Sequence, residues 1–158
     1  VIRQVLFVCT GNICRSPLAE ALLRRAVEQR GLAITVGSAG TGAWDGAPAS
    51  EGAYLVGLEH GLDLSAHRAR LLSRDLVESS DLVLTMARHH GARVDELGGS
   101  GRVQVLGEYA GLPPADAEVG DPFGGDLEIY RETFRQLERL IETVAERLAA
   151  EANSGDPR

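Results

Sequence analysis

Cys9 and Arg15 bracket five residues in the stretch Cys9-Thr10-Gly11-Asn12-Ile13-Cys14-Arg15-Ser16-Pro17, directly after the apolar run Val5-Leu6-Phe7-Val8. On a turn leading from a strand into a helix, this pair makes a phosphate trap with a nucleophile at its base. Pro17 suits the first helical position and Ser16 the cap before it. The loop between them is then free to wrap, with backbone N–H groups aimed at one centre where the helix dipole also favours negative charge. The same field favours a thiolate over a thiol at Cys9. Arg15 supplies a planar fork that matches two phosphate oxygens, which a lysine does poorly. Ser16 has a hydroxyl to donate to that sulfur. An isolated pair at this spacing would more often be a buried thiol and a surface charge; the apolar strand before it and the Ser-Pro start after it reverse that expectation.

Strands and helices alternate along the rest of the chain. Strands are expected at Ile2–Val8, Ile34–Val36, Leu82–Thr85 and Val103–Leu106, and helices at 16–30, 48–60 after Pro48, Ser73–Ser79 and 87–97. His89 and His90 read as a surface pair on the last of these. A Gly/Pro-rich loop covers 107–125. The final helix runs from Leu127 to Ala149, its apolar positions Tyr130, Phe134, Leu137, Ile141, Val144 and Leu148 stepping by three and four. Such alternation predicts an α/β fold: a four-stranded parallel sheet, flavodoxin-like and doubly wound, with helices on both faces. Ligands of these sheets sit beyond the carboxyl ends of the strands, where Cys9 lies. A single domain is expected over 1–152, with 153–158 as a frayed tail.

Composition narrows the function. With 158 residues and 44% hydrophobic content the chain can bury one core, and a net charge of −7 argues against a general nucleic-acid binder. No apolar run reaches membrane-spanning length and no leader pattern is visible. Two cysteines make no disulfide scaffold, which points to a reduced, cytoplasmic setting. There is no lysine, so no Walker-type nucleotide loop, and Gly37-Ser38-Ala39-Gly40-Thr41-Gly42 lacks the dinucleotide-binding spacing. No cysteine–histidine spacing fits zinc. The amino-terminal 30 residues are rich in arginine: Arg24, Arg25 and Arg30 either steer anions toward the loop or form the solvated face of a helix.

Cys9 through Pro17, together with Ser38-Ala39-Gly40-Thr41, Trp44, His67 and Asp121-Pro122-Phe123, resembles the low-molecular-weight protein tyrosine phosphatase family along nearly the whole chain. The resemblance implies a double displacement. Cys9 attacks phosphorus, Arg15 and the N–H groups of Thr10, Gly11, Asn12, Ile13, Cys14, Arg15 and Ser16 hold the equatorial oxygens, and Asp121 protonates the leaving oxygen. Asp121 then activates the water that hydrolyses the cysteinyl phosphate. No metal and no cofactor are needed. An Asp-Pro alone is usually a plain turn, but this one lies in a long loop of the kind that carries function. Asn12, Ser16, Ser38 and His67 match family positions that hold the loop in shape, and Asn tolerates the left-handed backbone such a loop needs. The resemblance also implies a reversible disulfide between Cys9 and Cys14; a plain packing role for Cys14 stands beside it.

The partners implied are phosphorylated proteins or peptides, bound by a monomer or weak dimer. Ile13, Trp44 and Phe123 are expected to wall the substrate cleft, and an apolar wall suits a phenyl ring. Phosphotyrosine is therefore the expected substrate. The family's bacterial arginine-phosphatase branch is the alternative, because Phe123 is followed by Gly124 where the tyrosine branch usually has a second aromatic. An arsenate reductase would need cysteines beyond Cys14, and a silent phosphoprotein-binding module would not need Cys9, Arg15 and Asp121 together.

Overall fold

The computed structural model describes residues 1–154. Strand β1 (Gln4–Cys9) lies between β2 (Thr35–Gly40) and β3 (Leu82–Thr85), and β4 (Val103–Val105) completes the sheet beyond β3. All pairings are parallel, in the order β2-β1-β3-β4. The chain leaves β1 in one direction and returns through β3 in the other, so the strand order reverses beside β1. Its carboxyl end is the crevice where such sheets bind ligands.

Side chains of β1 alternate between two cores, as the two-residue period of a strand requires. Val5, Phe7 and Cys9 face one layer, built from helix α1 (Arg15–Gln29) and helix α6 (Leu127–Ser154). Leu6 and Val8 face the other, packing with Val77 of α3 (Arg74–Glu78) and Val94 of α4 (Arg88–Glu96). Phe134 and Leu137 of α6 are fully buried; side chains of this size stabilise the fold by about 1.5–3 kcal/mol each through burial. Helix α2 (Glu51–Glu59) is capped by Ser50, whose hydroxyl accepts the Ala53 N–H, so the helix starts later than Pro48 and at a proper cap.

Four further differences from expectation have physical causes. Strand β2 extends through Gly37-Ser38-Ala39-Gly40, residues of low strand propensity, because pairing with β1 imposes the conformation. Chain 107–125 is partly ordered: α5 (Leu106–Tyr109) caps β4, and a short 3₁₀ turn covers Pro114–Asp116. Helix α6 continues through Asn153 and Ser154, while residues 155–158 of the expected tail lie outside the described residues. Helix α1 begins at Arg15, two positions earlier than a Ser16 cap would allow, with Cys14 as the flanking residue and no side-chain cap. Ser16 is inside the helix because its hydroxyl is occupied elsewhere. No helix among the described residues is long and apolar enough to cross a membrane.

Candidate active site

Residues 10–14 leave the end of β1, circle, and enter α1. The carbonyls of this loop turn outward. Cys9 O accepts from Thr41 N (3.0 Å), Thr10 O from Gly42 N (2.9 Å), Ile13 O from Ser50 N (2.8 Å) and Asn12 O from His67 Nε2 (2.7 Å). Among the described residues no acceptor faces the backbone N–H groups of 10–14. With the carbonyls turned out, those donors are left for an anion at the centre, above the start of α1. The close approach of strand β2 makes the outward turn possible. A Cβ on Gly40 would stand 2.4 Å from Thr10 O and 2.9 Å from Asn12 N, so no larger residue fits there.

Asn12 organises the loop. It adopts φ 57°, the one positive φ outside glycine among the described residues, and is fully buried. Such a conformation costs of order 1 kcal/mol or more and persists only where surroundings hold it. Here its Nδ2 donates to both Ser16 Oγ (2.8 Å) and Ser38 Oγ (2.9 Å), and its Oδ1 accepts from Arg70 N (2.9 Å). These bonds set the direction of the remaining protons. Ser38 already accepts from Asn12, so its hydroxyl donates to the Glu20 carboxylate, which can only accept. Ser16 likewise accepts from Asn12, and its hydroxyl stands 2.9 Å from Cys9 Sγ, where a thiolate could only accept its proton. The result is a largely buried chain, Glu20–Ser38–Asn12–Ser16, that ends at Cys9 Sγ. Sequence inspection missed Glu20. Its only visible signal is an acid four residues before Arg24 on an arginine-rich helix, which reads equally well as a surface pair.

Arg15 is 4% exposed. One terminal nitrogen donates to Val119 O at 2.8 Å and the other stands 3.8 Å from Asp121 Oδ2. Asp121 is half exposed, and its Oδ1 accepts the Phe123 N–H at 3.0 Å, fixing the carboxyl in a turn that leaves Oδ2 toward Arg15. A cavity of about 190 Å³ opens over Cys9, lined by Thr10, Gly11, Ile13, Cys14, Arg15, Asp121 and Phe123. The fold thus brings residues 9–16 and 119–123 to one point, although about a hundred positions separate them in sequence. A larger cleft of about 590 Å³ runs along the outer edge of β2 and reaches Glu20 and Ser38, but not Cys9.

Two expectations fail here. Trp44 is not among the residues lining the cavity; it stands in the loop after β2, 84% exposed, beside Asp45, which accepts the Leu71 N–H. His90 is not on the surface but fully buried. Its Nδ1 accepts from Ala87 N (3.1 Å), so Nε2 carries the proton and donates it to Thr10 Oγ1 (3.0 Å). Placed in the first turn of α4, it fills the return half of a capping box, a position usually held by Glu or Gln. Cys14 is buried against Ser50 Oγ (3.2 Å) and Tyr130 Oη (3.3 Å), and burial pushes its thiol up. Both cysteines are free.

Burial, with His89 and Arg15 nearby, lowers the His90 pKa from 6.5 to about 4. The unfolded chain therefore takes up a proton that the fold refuses, and the contribution of neutral His90 is fully present above about pH 6.5 and lost as pH falls toward 4. Denaturant midpoints are expected to decline through this window and to decline less in His90→Gln. Equal slopes for both proteins would show that His90 does not set this dependence.

Comparison with known proteins agrees with this geometry. The family model described as low molecular weight phosphotyrosine protein phosphatase matches residues 4–154. The chain belongs to that family. It is a cysteine-based protein phosphatase, a phosphoric monoester hydrolase working through a phosphocysteine intermediate. Among its relatives is a protein-arginine-phosphatase of Bacillus subtilis, 39% identical over 92% of this chain and 96% of the relative. Another is the low molecular weight protein-tyrosine-phosphatase Wzb of Escherichia coli K12, 38% identical over 94% and 97%. A solved structure of the arginine phosphatase YwlE, a mutant with a phosphorylated active-site serine, superimposes with a TM-score of 0.86 at 37% identity, covering 92% of this phosphatase and 95% of that chain.

Proposed function

We propose that this phosphatase acts on phosphotyrosine in proteins or peptides, with Cys9 as nucleophile, Arg15 as the phosphate clamp and Asp121 as general acid and then general base. The observation that carries the substrate class is Ile13. It lies in the phosphate loop itself and lines the cavity together with Phe123, so the leaving group is flanked by hydrocarbon. A phenyl ring is at home between such walls. A guanidinium would need acceptors for its remaining N–H groups. Among the described residues the cavity has one carboxylate, Asp121, already shared between Arg15 and the Phe123 N–H.

In the first step the Cys9 thiolate forms the S–P bond in line as the P–O bond to the tyrosyl oxygen breaks. Asp121 delivers its proton to that oxygen. Three equatorial oxygens rest on the N–H groups of the loop and on the guanidinium of Arg15, donors fixed in place before the substrate arrives. Ser16 O–H stabilises the sulfur as leaving group in the second step, when water activated by Asp121 attacks the phosphocysteine and regenerates the thiolate.

Phosphoarginine is the second reading, supported by the single aromatic after Pro122, the glycines at Gly124 and Gly125, and the arginine-phosphatase relatives. Steady-state turnover of one peptide carrying either phosphotyrosine or phosphoarginine tests the choice. The expected result is a kcat/KM at least about tenfold higher for phosphotyrosine, the scale on which one apolar wall discriminates. A preference for phosphoarginine overturns the substrate assignment and leaves the catalytic roles standing.

A further inference from the structure

We infer that Met86–His90, the link from β3 together with the first turn of α4, is the spacer that sets the acid-bearing segment over the nucleophile, and that Arg88 is the positioning residue for Asp121. The inference rests on the assignment of Asp121 as proton donor.

This turn grips both halves of the site. Toward the nucleophile, Met86 N–H donates to Val8 O at 3.0 Å, and His90 holds the hydroxyl of Thr10, the residue after Cys9. Toward the acid, Met86 O accepts from Val119 N at 2.8 Å and Arg88 N–H donates to Glu118 Oε2 at 2.7 Å. The Arg88 guanidinium stands 3.4 Å from the same carboxylate and 3.3 Å from Glu108, and donates to Pro114 O. Three attachments of the 107–125 segment thus converge on one side chain. Between Gly120 and Gly125 the hydrogen bonds among the described residues are internal to the loop. Apart from its 3.8 Å ion pair with Arg15, the register of Asp121 is transmitted from Glu118 and Val119, three and two residues earlier.

Single exposed ion pairs contribute little, and Arg88, Glu108 and Glu118 are all partly exposed. Glu118 differs because it is held from two directions. The first N–H of α4 and the positive end of that helix bind the carboxylate along with the guanidinium. What matters is position rather than stability. Proton transfer requires heavy atoms within about 2.6–3.2 Å, and a displacement near 1 Å costs on the order of 10²-fold in rate.

The test is kcat/KM over a series of aryl phosphates of rising leaving-group pKa, for wild type, Arg88→Ala, Asp121→Asn and the double variant. Arg88→Ala is expected to lose about tenfold on phenyl phosphate and less than about twofold on p-nitrophenyl phosphate, whose leaving group needs little protonation. The dependence on leaving-group pKa therefore steepens. In the Asp121→Asn background the Arg88 substitution should add nothing, and Arg88→Lys should recover part of the loss. An equal loss across the series, or additive effects in the double variant, overturns the inference. If Asp121→Asn steepens the dependence and Arg88→Ala does not, the strap fails and the acid assignment survives. If Asp121→Asn itself leaves it unchanged, both fail. Should Arg88→Ala not fold, Glu118→Gln removes the same ion pair without changing volume and carries the same expectation.

Discussion

Cys9→Ser is expected to lower turnover of any aryl phosphate by on the order of 10⁴-fold or more, the scale on which removing a catalytic nucleophile acts. Binding of inorganic phosphate or vanadate should persist. The two outcomes separate because different atoms produce them. On the proposed assignment the anion rests on the N–H groups of the loop, the start of α1 and Arg15, none of which the substitution touches. A serine hydroxyl is a far weaker nucleophile at neutral pH, and the Ser16 O–H that stabilises a sulfur anion cannot ionise it. The Ser16 hydroxyl accepts from Asn12 and stands 2.9 Å from the sulfur it would lose as partner. Isothermal titration with phosphate alongside a turnover assay makes both measurements on one sample. Hydrolysis surviving in Cys9→Ser at even about a hundredth of the wild-type rate would remove Cys9 from the first step.

The second large effect belongs to Asp121. Asp121→Asn keeps the shape of the side chain and its acceptor for the Phe123 N–H, but has no proton to give. Loss of a positioned general acid costs about 10²–10⁴-fold, and the loss should be greatest for alkyl or phenyl esters. The descending limb of the pH profile of kcat/KM should vanish in the variant. A pH–rate profile of wild type and variant on phenyl phosphate reads both signatures. An unchanged profile would leave the acid unidentified. The rim of the cavity would then offer no replacement, since no other carboxylate stands there among the described residues.

These predictions share a dependence on contacts of very different sequence range, and that range decided what could be read from the chain. The phosphate loop is local. Strand, turn and helix start follow one another without interruption, and each residue type there matches a single role: a thiol attacks, a planar fork holds oxygens, an Asn takes a left-handed turn. The parallel sheet was legible for a related reason, since alternating short apolar runs and amphipathic stretches are local patterns. Errors arose where tertiary or loop geometry overrode local preference. Ser16 looks like a helix cap, yet Asn12 and Cys9 claim its hydroxyl and the helix starts without it. His90 looks like half of a surface pair, yet the end of β3 folds it under the loop against Thr10. Trp44 has the chemistry of a cleft wall but stands in solvent.

The sequence by itself determined the reaction: an ionisable sulfur, a guanidinium and a carboxylic acid of the types that phosphoryl transfer through a cysteine requires, the first two at fixed spacing on one turn. Only the tertiary structure decided who directs them. Glu20 takes the Ser38 proton behind the phosphate loop, Val119 holds Arg15, and Glu118 is tied to Arg88 beside the Asp121 loop. The physical reason is that a hydrogen bond has no sequence signature when its partners are 18 to 104 residues apart. Such pairs exist only once the sheet has set β1 between β2 and β3.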